Sequence, residues 1–453
     1  MNKLVLGLLI ASACGGDDGG GPVGEPLFTP KPECMGESIT PYGGTFPQVI
    51  SKLSIGSLED GFDLNHDGKP DNKLSAVSSL AQSSIDDSFK NYDILIPLEF
   101  FDMASVAKDD CVKFAIYLAD YVNDTDADGK KPYIEKGDCN DHDAAIHPGA
   151  TEIVDDKKDN DCDGLADEDG QDAPNTVETT DGDGDGQSVA QGDCDDTNMA
   201  VKKGAAEICG DGLDNDCDGV ADRTAGDANV CSPYSATTDL ALDPLSLEAG
   251  QPLISFKDGT VDASNKIVAG PSIFSVNIPV TDGINLDLKI TGATIEATLA
   301  ADGTTMNGKL GGVIDAKTAD TIRGLDVSQI GLTPENSLLD ATFANLLGPL
   351  LALPKVDMKA RNYSAAKPYT NCRTPDIDVD GDGLEAYCDS NPNDEDKSVD
   401  VCIDGDGTIV KDSGTTQCTE AMGTDGKPRF VDGISVEMNF TTAAIHSIKP
   451  PAQ

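Results

Sequence analysis

Apolar and polar residues alternate along several stretches of the chain, a pattern typical of strands with one buried face. These alternating stretches are residues 112–118, 274–280, 284–290 and 293–299, and the mainly apolar run at 94–101 is also predicted to be a strand. Turn signals that contain Asp-Gly follow the second and the fourth alternating stretch, at 281–283 and 302–303. The later stretches therefore predict an antiparallel meander that packs one face on a core.

Helical spacing of apolar residues marks a smaller part of the chain. Residues 73–91 carry Leu74, Val77, Leu80, Ile85 and Phe89 at roughly helical spacing, which predicts one helix. Two more helices are predicted after the meander. The second begins with Thr333 as N-cap and Pro334 as its first residue, presents an apolar face over 338–347, and ends at Gly348-Pro349.

An internal repeat separates these two groups of elements. Residues 137–167 (the first repeat) and 192–222 (the second repeat) align without a gap. Three pairs of identical residues, each 55 positions apart, mark the alignment: Cys139 and Cys194, Glu152 and Glu207, and Cys162 and Cys217. Repetition at a fixed offset indicates two copies of one structural module.

Six segments place Asp or Asn at alternate positions before a Gly, as the opening of an EF-hand-type calcium loop does. Such a loop supplies side chains at places 1, 3 and 5, a Gly turn at place 6 and a backbone carbonyl at place 7. The predicted ligands at places 1, 3 and 5 are Asp63, Asn65 and Asp67; Asp124, Asp126 and Asp128; Asp159, Asp161 and Asp163; Asp181, Asp183 and Asp185; Asp214, Asp216 and Asp218; and Asp378, Asp380 and Asp382.

Further oxygen ligands are predicted to close these loops. The predicted closing carboxylates are Asp71, Glu135, Asp167, Asp193, Asp222 and Asp389, joined by the carboxylate of Asp138 and the place-7 residues Lys69 and Gln187. An all-oxygen set favours calcium, because magnesium demands a tighter octahedron and copper and zinc prefer His or Cys. His142 and His147 lie inside the first repeat, so a separate soft-metal site there is an alternative to a surface role.

Composition supports a role for cations. The formal net charge is −49 in a chain that is 38% hydrophobic. Such self-repulsion opposes a compact state unless cations neutralise it. The same acidity disfavours nucleic acid as a partner, since phosphate binding needs clusters of Lys and Arg.

The N-terminus has the pattern of a targeting segment. Lys3 and a short apolar run precede Ala11-Ser12-Ala13-Cys14, which resembles a bacterial lipobox, so we expect Cys14 to carry a lipid. The alternative is ordinary secretory cleavage beside a free Cys14. Gly15 follows where an inner-membrane retention signal has Asp, which favours the outer membrane of a Gram-negative cell. No apolar run reaches the about twenty residues that span a bilayer.

The cysteines predict disulfides. Of the 13 cysteines, 12 remain after Cys14, and export permits them to pair. No Cys-x-x-Cys or Cys/His cluster supports zinc. The predicted pairs are Cys139 with Cys162, Cys194 with Cys217 and, by elimination, Cys209 with Cys231. The pairing of the other six is left open: Cys34, Cys111, Cys372, Cys388, Cys402 and Cys418.

The repeats resemble a known family. The sequence GDC followed by Asn-Asp or Asp-Asp, then PGATEI or KGAAEI, then DNDCDG, is similar to the metal-binding repeat of the MopE type over 124–168 and 181–222. Asp at place 9 of three loops also resembles a thrombospondin type 3 repeat. The family resemblance implies small, calcium-stabilised, disulfide-linked modules in exported bacterial proteins. The family name also carries copper, which we do not expect here, since the chain has no Trp and only four His.

Three functions are compatible with these patterns. The first is a calcium-binding lipoprotein of the cell envelope with a structural or interaction role, in which calcium staples the small modules. The second is an envelope receptor whose β-rich domain holds a ligand. The third, a hydrolase, is disfavoured by the lack of G-x-S-x-G, H-E-x-x-H and P-loop motifs, so we expect no enzyme. The expected partners are calcium ions and, through the lipid, a membrane; a protein or glycan partner is unknown.

The predicted fold is mainly β with some α: one antiparallel β-rich domain interrupted by two loop-rich modules stabilised by calcium and disulfides. Two separate flanking domains are the alternative. The predicted segments are a signal peptide (1–13), a flexible tether (14–31), the β-rich domain (32–121 and 236–365), the metal-binding repeats (123–170 and 178–231), a Cys- and Asp-rich calcium-loop segment (370–420) and a C-terminal tail (421–453). Each module is too poor in apolar residues to fold alone, so we expect Asp163→Ala to unfold the first and spare the second.

Overall fold

The computed structural model describes most of the chain. The described residues are 28, 32–34, 39–90, 94–121, 138–167, 179–208, 211–221, 234, 238–281, 284–322, 336–344, 346–358, 369–391, 398–412 and 418–451. Strands dominate them and only three α-helices occur among them, which confirms the predicted fold class.

Eight strands form an antiparallel barrel. They are β1 (Thr45–Ile55), β2 (Ile96–Phe101), β3 (Asp109–Ile116), β8 (Ile254–Val261), β9 (Lys266–Thr281), β10 (Ile284–Leu299), β11 (Met306–Asp315) and β17 (Gly433–Ala444). The barrel closes in the order β1-β17-β11-β10-β9-β8-β3-β2. The predicted stretches 94–101 and 112–118 correspond to β2 and β3, and the predicted meander corresponds to β9 and β10. Strands from both sides of the repeats lie in one barrel, which decides against two separate flanking domains.

The remaining strands form small sheets. They are β4 (Ala119–Tyr121), β5 (Asp239–Leu242), β6 (Leu247–Glu248), β7 (Gln251–Pro252), β12 (Lys355–Met358), β13 (Tyr369–Arg373), β14 (Ala386–Cys388), β15 (Val401–Ile403), β16 (Ile409–Asp412) and β18 (Ser447–Lys449). β12 to β16 form a five-stranded sheet in chain order, β18-β5-β4 a three-stranded sheet and β6-β7 a pair.

The α-helices lie near the barrel core. They are α1 (Ser78–Lys90), which a 3-10 helix at Lys73–Val77 precedes, α2 (Ala316–Thr321) and α3 (Leu338–Phe343). The helix predicted over 73–91 is therefore present. The cap predicted at Thr333 and Pro334 lies outside the described residues, and α3 is capped by Ser337, whose hydroxyl accepts a hydrogen bond from the Asp340 N–H. None of the helices among the described residues is long and apolar enough to cross a membrane.

Apolar side chains from all eight strands meet in one core. Phe114 and Phe256 stack there with ring centroids 4.7 Å apart, and α1 adds Ile85 and Phe89. Side chains therefore fill the barrel, as is usual for eight strands. The segment predicted to be a C-terminal tail contains β17, which pairs with both β1 and β11 and completes this barrel. The exact domain boundaries stay predictions.

Disulfides connect neighbouring elements. Cys34 pairs with Cys111, Cys372 with Cys388 and Cys402 with Cys418, which supplies the pairings that the sequence left open. Each of these bonds joins cysteines on the same side of the repeats along the chain. The predicted partner pair Cys209 and Cys231, and Cys14, which is predicted to carry a lipid, lie outside the described residues.

Candidate metal centres

The two repeats have the same internal frame. Cys139 pairs with Cys162 and Cys194 with Cys217, the same partners that the sequence predicts, and both pairs have Cα atoms 5.7 Å apart. Each disulfide joins the GDC segment at the start of a repeat to the DNDCDG loop near its end. In each repeat, the disulfide thereby holds the acidic residues beside its two cysteines close together.

Three carboxylates converge in the first repeat. Glu152, Asp159 and Asp161, here the first-repeat group, each place one carboxylate oxygen within 4.8 Å of the others. Hydrogen bonds within the loop fix its turn: the two carboxylate oxygens of Asp159 accept from the backbone N–H groups of Asp163 at 3.2 Å and Gly164 at 2.7 Å. Gly164 has φ +87, a left-handed conformation that glycine adopts without strain.

The second repeat builds the same arrangement from the equivalent residues. Glu207, Asp214 and Asp216, the second-repeat group, also lie within 4.8 Å of one another. Asp214 accepts from the N–H groups of Asp218 and Gly219, at 3.1 and 2.6 Å. The sequence predicted the Asp ligands but not Glu152 or Glu207. The signal was available, because the two glutamates align in the repeat.

The loop that leads into the second repeat forms a third site, the entry-loop group. Asp183, Asp185 and Asp193 lie within 4.8 Å of one another, and so do Asp181, Asp183 and Asp196. Asp193 was predicted as the closing carboxylate, whereas Asp196 was not. The Asp196 carboxylate accepts from the Lys157 ammonium of the first repeat at 2.7 Å and from the Gly182 N–H at 2.8 Å.

The loop at Asp378, Asp380 and Asp382 also brings its three carboxylates within 4.8 Å. Its ends are fastened to the start of β17, where Asp432 accepts from the N–H groups of Val379 at 2.7 Å and Glu385 at 3.3 Å. The predicted closing residue Asp389 belongs to none of the converging groups among the described residues.

The loop at Asp63 differs from its prediction. Asp71 accepts from the Leu64 and Asn65 N–H groups, Asn65 accepts from the Asp67 N–H, and Asp63 accepts from the Gly68 N–H. Asp67 instead accepts from the N–H of Lys69. The carboxylates are thus used to wind the turn, and no three of them converge in this described loop.

Other predicted ligands lie beside the groups rather than in them. Asp138 accepts from the Asn140 N–H, Asp163 from Leu165, Asp167 from Lys157 and Asp218 from Val220. The amide of Gln187 donates to the Lys203 carbonyl. The predicted ligands Asp124, Asp126, Asp128, Glu135 and Asp222 lie outside the described residues.

Histidine takes no part in the groups. His142 Nε2 lies 2.8 Å from the Asp211 carbonyl oxygen, and His147 Nδ1 lies 3.1 Å from that of Pro148. All converging groups among the described residues consist of Asp and Glu alone. The donor set therefore fits a hard cation.

The convergence raises the proton affinity of these carboxylates. Burial, with neighbouring charges of Asp163 and Glu152, raises the pKa of Asp159 to about 8. Burial and the charges of Asp214 and Asp216 raise the pKa of Glu207 to about 8. Burial also raises the pKa of Asp193 to about 7. Desolvation and like charges disfavour the ionised form, and a bound cation would reverse both effects.

Several oxygens in the groups have no hydrogen-bond donor. Among them are Asp161 Oδ1, Asp193 Oδ2 and Glu207 Oε2. Asp193 is 1% exposed, so this oxygen is removed from bulk solvent. A buried carboxylate oxygen without a donor is costly unless a cation is bound to it. The residues present therefore fit a cation in all three groups of the repeats.

Comparison with known proteins supports this interpretation. Residues 138–168 and 193–223 match the family model Cu-binding MopE, described as a "Putative metal-binding motif". No curated protein and no solved structure gives a significant match to the chain. The motif, the disulfides and the converging carboxylates indicate that the repeats are metal-binding, disulfide-linked structural modules.

Proposed function

We propose that this protein is a calcium-binding structural lipoprotein of the bacterial cell envelope. Calcium would hold the two repeats in their folded form, and a lipid on Cys14 would anchor the chain in the outer membrane. The role is structural or one of interaction rather than catalytic. This proposal goes beyond metal binding in three respects, namely the identity of the ion, the anchor and the location.

The observation that supports this proposal most directly is the burial of the Asp193 carboxylate. Its Oδ2 lacks a hydrogen-bond donor, and Asp183 and Asp185 lie within 4.8 Å. Three like charges that share a buried space repel one another, and a divalent cation would replace that repulsion with attraction. Binding free energy of this kind becomes folding free energy for a small module.

Calcium is supported by the chemistry of the donors. Flexible groups of carboxylates without imidazole or thiolate suit calcium, whereas copper prefers nitrogen and sulfur ligands. The name of the matching family model mentions copper, but these groups contain no nitrogen or sulfur ligand for a copper ion. The loops with Asp at alternate positions resemble EF-hand and thrombospondin type 3 loops, which bind calcium through the same ligand types.

Titration calorimetry of the full chain tests the ion. We expect saturable calcium binding in the extracellular range, about 10⁻⁴–10⁻³ M, with magnesium and copper failing to replace calcium. Asp193→Asn should lose binding at the entry-loop group, while Asp110→Asn, the same change at an exposed residue outside all groups, should bind as the native chain does. Absence of calcium binding at low-millimolar concentration would refute the ion assignment.

The anchor has an independent test. In a bacterial host, the native chain should incorporate labelled fatty acid and sediment with membranes, whereas Cys14→Ser should do neither. A native chain that is secreted without label would show that Cys14 is not lipidated, and would leave calcium binding untouched.

A further inference from the structure

The two repeats exchange backbone hydrogen bonds in a reciprocal way. The Asp159 N–H of the first repeat donates to the Cys194 carbonyl at 2.9 Å, and the Asp214 N–H of the second donates to the Cys139 carbonyl at 3.0 Å. Because Asp159 aligns with Asp214 and Cys139 with Cys194, the two bonds are equivalent. Each repeat therefore completes the other through the same contact.

A second equivalent pair of bonds lies beside the first. The Asp196 N–H donates to the Lys157 carbonyl at 3.1 Å, and the Asp141 N–H donates to that of Gly212 at 3.0 Å. Antiparallel bridges join Asn140 to Leu213 and Lys158 to Asp195, which are again equivalent positions. The GDC segment of each repeat thus pairs with the residues that open the DNDCDG loop of the other, an approximate two-fold arrangement.

These contacts connect the candidate metal groups. Asp159, of the first-repeat group, bonds through its N–H to Cys194, the neighbour of the entry-loop ligand Asp193. Cys194 is in turn bonded to Cys217, which follows Asp216 of the second-repeat group. One hydrogen bond and one disulfide therefore link all three groups of the repeats.

Packing and charge strengthen the same interface. A small cavity of about 30 Å³ lies between the repeats. It is lined by Ile146, Val201 and Leu213, together with one cysteine of each repeat disulfide. Ile146 and Val201 are both 4% exposed. The Lys157 ammonium of the first repeat also pairs with Asp196 of the entry-loop group at 2.7 Å. Because each repeat forms part of the surroundings of the other, unfolding of the first repeat should also disturb the second, in contrast to the expectation from sequence that Asp163→Ala spares the second repeat.

We propose that the two repeats bind cations cooperatively, as one unit, so that occupation of the second-repeat group raises the affinity of the first-repeat group and the reverse. This proposal rests on the proposed calcium binding. A cation that orders the loop of one repeat also fixes the segment that hydrogen-bonds to the other repeat. The loop of the other repeat is then already ordered when the next cation binds. Coupling between two binding sites is reciprocal, so the effect must be equal in both directions.

The test follows both repeats separately within the full chain. Hydrogen–deuterium exchange is measured by mass spectrometry during a calcium titration, with peptides from 138–167 and 193–221 reporting each repeat. Glu207→Gln keeps the acceptor for the Asp216 N–H and removes one ligand charge from the second repeat. We expect it to raise the calcium midpoint of the first-repeat peptides by at least about fivefold.

The reciprocal variant supplies the internal check. Glu152→Gln should likewise raise the midpoint of the second-repeat peptides, because coupling acts in both directions. Asp382→Asn removes an equal charge from a group outside the repeats and should leave both midpoints unchanged. Peptides from β11 and β17 report whether the barrel remains folded in every variant.

The outcomes separate the two proposals. If the native repeats gain no protection with calcium, both calcium binding and the coupling are wrong. If they gain protection but each glutamate variant affects only its own repeat, calcium binding stands and the coupling is wrong. If one glutamate variant leaves both repeats unprotected in saturating calcium while the barrel stays protected, the damage has crossed the interface and the coupling is supported.

Discussion

At the scale of single residues, each repeat brings carboxylates so close together that their negative charges repel one another. Glu152 and Glu207 each come seven residues before the Asp that opens the neighbouring loop, and the chain folds back to bring them into the groups. Each also accepts backbone N–H groups, as Glu152 does from Asn160 and Asp167. The glutamates thus hold the loop in place and supply charge to the metal group.

The raised pKa values of these carboxylates predict how the cation-free repeats respond to pH. The pKa of Asp159 and of Glu207 is raised to about 8 in the folded chain, above the ordinary values of 3.8 for Asp and 4.5 for Glu. Between those limits the folded state binds more protons than the unfolded state, so stability falls as pH rises. In chelator, the repeats should therefore lose protection from exchange between pH 5 and pH 8.

Calcium should remove this dependence, because the ion replaces the protons that the folded groups would otherwise hold. Exchange protection of peptides 138–167 and 193–221 at pH 5 and pH 8, with and without calcium, measures the effect against barrel peptides as a control. Greater protection at pH 8 than at pH 5 in chelator would contradict the account.

There is a physical reason why some predicted ligands converge in the structure and others do not. Loop spacing identified Asp159, Asp214 and Asp378, because ligands within one loop depend on local backbone geometry alone. It also located Asp193 next to the closing place of its loop. It also assigned closing roles to Asp167 and Asp389, which belong to none of the converging groups among the described residues. Closure depends on where the chain returns in space, and no local pattern contains that information.

At the scale of elements, β17 is the clearest addition that the structure makes. Ile434, Val436, Met438 and Phe440 alternate as a strand should and all enter the barrel core. Their alternation was present in the sequence. Its partners were not evident, because β17 pairs with β1, nearly four hundred residues away in the chain, and a pairing of such separation leaves no local signal.

Removal of β17 should abolish the barrel. Four buried side chains of this size contribute about 6–12 kcal/mol together, which is comparable with the about 5–15 kcal/mol that stabilises a whole domain. The loss would also leave β1 and β11 with unpaired edges. A chain that ends at Asp432 should lack a cooperative unfolding transition in circular dichroism. A chain that ends at Lys449, after β18, should keep it, and equal transitions in both would contradict the role of β17.

At the scale of the whole molecule, the repeats are an insertion whose two ends are held side by side. β4, which precedes them, pairs with β5, which follows them, with Ala119 opposite Leu242 and Tyr121 opposite Leu240. The barrel is built from both flanks, since β1 pairs with β17 and β3 with β8. The stability of the barrel therefore need not depend on the repeats, although the chain runs through them.

This arrangement predicts the outcome of proteolysis. With calcium, trypsin should leave the repeats intact; in chelator, it should cut at lysines such as Lys157, Lys158 and Lys202. After reduction of Cys139–Cys162 and Cys194–Cys217, which span these cut sites, the two flanking fragments should still elute together in native size-exclusion chromatography, because strand pairing and the shared core hold the barrel. They should separate on a denaturing gel only when reductant is present, because Cys139–Cys162 and Cys194–Cys217 join the pieces across the cuts. The other described disulfides, Cys34–Cys111, Cys372–Cys388 and Cys402–Cys418, each lie within one fragment. Fragments that elute apart under native conditions would show that the flanks are separate domains, and equal cleavage with and without calcium would show that the ion does not staple the repeats.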